Sequence, residues 1–151
     1  MPNKQKRKGT NWENLAKDLL NEPYGKNVWR RIPGSGAFGT QMDYGQLKGD
    51  LMGKYSFLPF TFRAEAKVGY GGAKQITMKR EWFDKVREEA ACNFNELACV
   101  VMKYSNAHPP NTQHVIAFDF ETFQKILDII ESMQDEIIEL YAEVGTLEHG
   151  E

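Results

Sequence analysis

The sequence predicts an α/β domain, a central mixed β-sheet flanked by helices and followed by a long C-terminal helix. Three observations lead there. Periodicity gives the element order α-β-β-β-α-β-β-α, which calls for a sheet covered by helices. Leu97-Ala98-Cys99-Val100-Val101-Met102 is a continuous apolar run suited to a central strand buried on both faces. At 151 residues, with 41% hydrophobic and 26% charged residues, the chain fits one globular core.

The elements follow in order. Residues 1–9, with Lys4, Lys6, Arg7 and Lys8, read as a flexible basic arm. Thr10-Asn11-Trp12-Glu13 has the form of a capping box and opens a helix that runs to about Asn21, ended by Pro23. A short strand spans 28–32, and Pro33-Gly34-Ser35-Gly36 begins a polar loop to about Lys48. Strands near 49–55 and 60–68 form a hairpin around Ser56–Pro59, and Gly69-Tyr70-Gly71-Gly72 breaks the second. Trp82, Val86 and Ala90 give the helix near 79–91 one apolar face. His108-Pro109-Pro110-Asn111 marks a loop before a strand at 115–120. In the last helix, about 122–144, Phe123, Ile126, Ile130, Met133, Ile137, Leu140 and Val144 step 3-4-3-4-3-4, a heptad seam. The expected organisation is a basic arm (1–9), a core domain (10–120) and an amphipathic helix (121–151) that packs on the domain and is a candidate for pairing two copies.

Charge is divided unevenly. Residues 1–90 hold 17 Lys/Arg against 10 Asp/Glu, whereas residues 91–151 hold 2 against 11. A nucleic acid responds to the local field, so the net of −2 does not exclude one as a partner. No apolar run has the length of a membrane span. The N-terminus lacks the apolar segment of a signal peptide, so no membrane is expected and the cytoplasm is the default location. Cys92 and Cys99 lack metal-ligand or redox spacing and read as buried free thiols. His108, His114 and His149 also lack ligand spacing, and Trp12, Trp29 and Trp82 read as core.

The chemistry is concentrated between Gly49 and Lys67. Alternation on a strand points Glu65 and Lys67 to one face while Ala64 and Ala66 take the other. Pairing of the two strands would bring Asp50 beside Glu65. Two carboxylates, Asp50 and Glu65, with the backbone carbonyl of Ala66, suit a Mg²⁺ ion acting on a phosphodiester, and Lys67 suits orienting water or countering developing charge. The same residues also fit a solvated strand face beside a turn aspartate. Glu13 fits a helix cap and, alternatively, a further metal or water contact. Ser35 fits a turn or a phosphate hydrogen bond. Arg30, Arg31, Lys48, Arg63, Lys74, Lys79 and Arg80 are candidate phosphate contacts together with Lys6, Arg7 and Lys8 of the arm.

Lys8-Gly9-Thr10-Asn11-x-Glu13, Gly34-Ser35-Gly36, Gly49-Asp50 and Glu65-Ala66-Lys67 stand in the order found in archaeal-type Holliday junction resolvases. Over residues 6–90 the chain therefore resembles that family of the PD-(D/E)xK, restriction-endonuclease-like superfamily. The resemblance implies a Mg²⁺-dependent homodimer (Mn²⁺ substituting) that nicks opposing strands of four-way, branched DNA. It implies Asp50, Glu65 and Lys67 as the catalytic core, Glu13 as the acid of the first helix and Ser35 near the scissile phosphate. Gly49 stands where the family often has proline, and the loop from Gly36 to Asp50 is expanded. A nuclease acting on linear duplex DNA and a non-catalytic DNA-binding protein of the same fold are the alternatives.

Overall fold

A computed structural model describes residues 4–25, 27–32, 50–69 and 74–148. Helix α1 spans Lys4–Asn21 and passes through the one-turn 3₁₀ segment Glu22–Tyr24 into Gly25. Gly25 has φ +56°, the left-handed conformation that stops the chain from continuing as helix. Strands β1 (Trp29–Arg31), β2 (Leu51–Lys54) and β3 (Thr61–Val68) follow. Helix α2 (Arg80–Ala91) then leads to β4 (Glu96–Lys103) and β5 (His114–Ala117). Helix α3 covers Phe120–Glu148.

The strands lie in sequence order in one five-stranded sheet. Pairing is antiparallel except between β3 and β4, which run parallel because α2 carries the chain back to the starting edge. The sheet is mixed and covered by helices, as the element order requires.

Alternation sorts β3 and β4 into two cores. Ala64, Cys99 and Val101 face α1 and pack with Trp12, Ala16, Trp29 and Leu51. Ala98, Val100 and Met102 face α2 and pack with Trp82, Val86 and Ala90. All three tryptophans are thus core residues, and the Trp12 indole also donates to the Val101 carbonyl at 3.3 Å. Gly53 lies opposite Trp29 in the ladder, and a Cβ there would sit 2.3 Å from the Trp29 ring. That gap lets the indole lie across the strand and stack on Phe62 at 5.9 Å, with 12° between the planes.

Three local expectations are corrected. The segment expected as an arm is helical from Lys4, because Lys-Gln-Lys-Arg-Lys is rich in helix formers and only Gly9 opposes propagation. Thr10 therefore lies inside α1 and does not open it, so the capping-box reading fails. Cys92 is exposed at the end of α2, while Cys99 is buried and its thiol is pushed up to about 12 by burial. Both thiols are free.

The chain divides into two compact units, Met1–Phe118 and Asp119–Glu151. In the second, Asp119 caps α3: its carboxylate accepts the Thr122 N–H at 2.9 Å and the Thr122 hydroxyl at 2.8 Å. Helix α3 is 29 residues long and starts slightly before the expected position. Among the described residues no helix is long and apolar enough to cross a membrane.

Candidate active site at the open end of β2 and β3

Strand β2 pairs with β3 only as far as Leu51↔Ala64. One residue earlier the Asp50 N–H still donates to the Ala64 carbonyl at 3.0 Å, and the Asp50 carbonyl accepts the Ile32 N–H at 3.1 Å. The Asp50 side chain then takes over from the ladder: Oδ2 accepts the Ala66 N–H at 2.9 Å. In a strand the N–H and C=O of one residue face the same neighbour, so the Ala66 carbonyl also faces the Asp50 side. Among the described residues, the start of the short strand β2 thus brings the Asp50 carboxylate against the backbone of Ala66.

Glu65 is the adjacent wall. It is 1% exposed and shares the α2-facing side of β3 with Arg63 and Lys67. Its carboxylate meets two ammonium groups. Lys67 Nζ lies 2.6 Å from Oε1, and Lys85 Nζ donates to Oε1 at 2.9 Å and Oε2 at 2.8 Å. Lys67 also stands over the Trp82 ring at 5.8 Å, which helps fix its position between strand and helix.

Burial pushes the Asp50 carboxyl up to about 6, aided by the negative charges of Glu65 and Glu13; the Ala66 N–H and Lys85 oppose this only in part. Lys85 loses stability as a cation through burial, but its bonds to Glu65 outweigh that and raise its pKa. Glu89, one turn further along α2, is raised by burial. Its Oε1 lies 3.8 Å from Lys85 Nζ, and its Oε2 is buried without a hydrogen-bond partner among the described residues.

The other expected site residues separate into distinct settings. Glu13 on α1 is close enough to repel Asp50, yet its carboxylate is held by Arg31, with Oε2 accepting from Nε at 2.9 Å. Arg31 is therefore engaged within the protein. Arg63 is a correction: it is 0% exposed and grips Glu96 as a fork, its second nitrogen donating to Oε1 at 2.9 Å. A guanidinium buried under the sheet cannot serve as a phosphate contact, because strand alternation sends it inward beside Glu65. Lys8, Arg30, Lys74, Lys79 and Arg80 are exposed. Lys79 pairs loosely with Glu81 at 3.4 Å and Arg80 with Asp84 at 3.3 Å. Ser35 and Lys48 lie outside the described residues, as do the side chains of Lys6 and Arg7.

Lys85 and Glu89 are the residues that sequence reasoning missed. The available signal was their position beside Trp82, Val86 and Ala90, which places both on the flank of the buried face of α2.

The donor set fits a hard divalent cation. Two crowded carboxylates, one raised to about 6, gain from a positive charge between them, and the Ala66 carbonyl faces the same strand. Among the described residues no group of three or more His, Cys, Asp or Glu is placed to hold a metal. Asp50, Glu65 and the Ala66 carbonyl would leave the other coordination positions of a divalent cation to water.

A mixed five-stranded sheet flanked by helices, with α2 crossing between parallel β3 and β4, is the arrangement of the restriction-endonuclease-like α/β fold. A family model covers residues 4–144, its description being "Phage putative PDDEXK endonuclease". The chain belongs to that family. No curated protein and no solved structure matches it.

Proposed function

We propose that the chain is a structure-selective endonuclease that resolves four-way DNA junctions by Mg²⁺-dependent phosphodiester hydrolysis. The observation that carries the hydrolytic chemistry is the convergence of Asp50 and Glu65 at the end of β2, with Lys67 bonded beside them. The bound cation would supply Lewis-acid activation of water and neutralise charge on the scissile phosphate. Asp50 and Glu65 would hold it, with the Ala66 carbonyl, and Lys67 would orient water or offset negative charge that develops at the phosphate. Glu13 keeps Arg31 oriented and adds negative potential at Asp50.

The order of the Lys8–Glu13, Gly34–Gly36, Gly49–Asp50 and Glu65–Lys67 motifs supports the choice of a junction as substrate. Exposed Lys8, Arg30, Lys74, Lys79 and Arg80 supply cations for phosphates. Two opposed nicks call for two copies, and α3 offers a means of pairing them. Its seam from Phe123 to Val144 runs about 33 Å, enough for a standard interface of about 800 Å² per copy. A monomeric mass at micromolar concentration would remove the dimer from the proposal.

The test of function incubates the protein with a labelled immobile four-way junction and a matching linear duplex, with and without Mg²⁺, beside Asp50→Asn. Paired nicks confined to the junction, lost in the variant and without metal, are expected. Equal cutting of the duplex replaces the junction with duplex DNA as substrate, and binding without cutting in any condition overturns the enzymatic reading.

A further inference from the structure

Glu65 is a buried carboxylate that needs a countercharge before any divalent ion arrives. The countercharge comes from two lysines. Lys67 touches one oxygen, whereas Lys85 bonds both, at 2.9 and 2.8 Å. Lys85 therefore stands on the oxygens that a cation must claim. One helical turn along, Glu89 holds a carboxylate only 3.8 Å from the same ammonium, and its second oxygen is buried with no hydrogen-bond partner among the described residues. An unused buried acceptor is costly and calls for a role.

We infer that Lys85 is a built-in stand-in for the divalent cation, moving from Glu65 to the waiting Glu89 carboxylate when the ion binds. The inference rests on the reading of Asp50 and Glu65 as cation ligands, and it makes Lys85 and Glu89 positioning residues. The separation is small and the lysine stem flexible, so the move needs only side-chain rotation. Without Lys85, metal-free Glu65 would lose its main partner; without Glu89, a displaced Lys85 would lose its nearest protein acceptor. The exchange replaces one cation by another, so Glu65 is never left without a countercharge.

The thermodynamics can be read without DNA, by calorimetric titration of the protein with Mg²⁺ or Mn²⁺ alone. Lys85→Met should bind the ion roughly three- to tenfold more tightly, the range for removing a competing, half-exposed charge-assisted bond. Glu89→Gln should bind roughly two- to threefold more weakly, since the exchange then lacks its acceptor. The double variant should match Lys85→Met, because Glu89 acts through Lys85. A merely structural role for Lys85 gives unchanged or weaker binding in Lys85→Met, and that result overturns the inference. A double variant that differs from Lys85→Met overturns the part assigned to Glu89. If Lys85→Met does not fold, Lys85→Arg decides: a guanidinium fork grips Glu65 more firmly, so weaker ion binding supports the exchange and equal or tighter binding overturns it. Wild-type protein that takes up no ion overturns the cation-site reading itself, a result distinct from all of these.

Discussion

Replacing Asp50 with Asn should make the metal-free protein more stable while abolishing cleavage. The carboxyl is raised from 3.8 to about 6, so the folded state favours its neutral form. Below about pH 3.8 the group is neutral whether folded or unfolded, and it costs nothing. As pH rises through 6 the folded protein must ionise a buried acid beside Glu65, and the penalty becomes complete. The interval from 3.8 to about 6 corresponds to about 3 kcal/mol. Partial solvent exposure of Asp50 reduces this to about 2 kcal/mol. Asn keeps an oxygen for the Ala66 N–H, which Oδ2 of Asp50 now accepts at 2.9 Å, and removes the charge. Urea and thermal unfolding at pH 7.5 without divalent ions should show the variant more stable by about 2 kcal/mol, or about 4–8 °C in Tm. At pH 4 the two proteins should nearly coincide. Mg²⁺ should stabilise the wild type and leave the variant unchanged. A variant equal to or less stable than wild type at pH 7.5 would refute the account of Asp50 as a crowded, unfavourably ionised ligand.

Other substitutions address separate parts of the molecule. Gly53→Ala drives a methyl into the Trp29 ring and should cost about 2–3 kcal/mol in chemical denaturation by overpacking. Arg63→Ala strands Glu96 in the interior, where its carboxylate is 7% exposed, and should lower stability by about 3–5 kcal/mol. Arg63→Met should recover part of that loss. Glu13→Gln removes one of the charges that raise Asp50, so the acid limb of the pH–rate profile should move to lower pH; an unmoved limb argues against that coupling.

The legible parts of the molecule were those governed by local periodicity. Alternation alone placed Glu65 and Lys67 on one side of β3, and the apolar run Leu97–Met102 announced the central strand. The start of α1 was hidden because Thr10-x-x-Glu13 satisfies the capping pattern while the basic residues before it also favour helix; Glu13 is drawn to Arg31, eighteen residues away. Arg63 looked like a surface cation because its partner, Glu96, arrives from the far end of the crossover. For Lys85 and Glu89 the sequence offers the flank of the α2 face, but not the partner that they meet. Their meeting with Glu65 depends on how α2 settles on the sheet, a distance of 20 residues in the case of Lys85. Contacts across strands and helices need the tertiary fold, and no short spacing encodes them.

The row Arg63, Glu65, Lys67 also governs how β3 can assemble. These three charged side chains occupy every second position on one side, while Phe62, Ala64, Ala66 and Val68 line the other. A slip of one residue against β4 would drive the three charges into the packing under α1 and present the apolar set to Lys85 and Glu96. Each misplaced ion would lie far from its partner, in surroundings that solvate it poorly. Mispaired chains are thereby disfavoured during folding by a row that includes two residues proposed for chemistry, Glu65 and Lys67. Substitutions that neutralise this row should loosen strand alignment as well as activity, so loss of cutting in such variants has to be judged beside a measure of sheet order, such as amide exchange along β3 and β4.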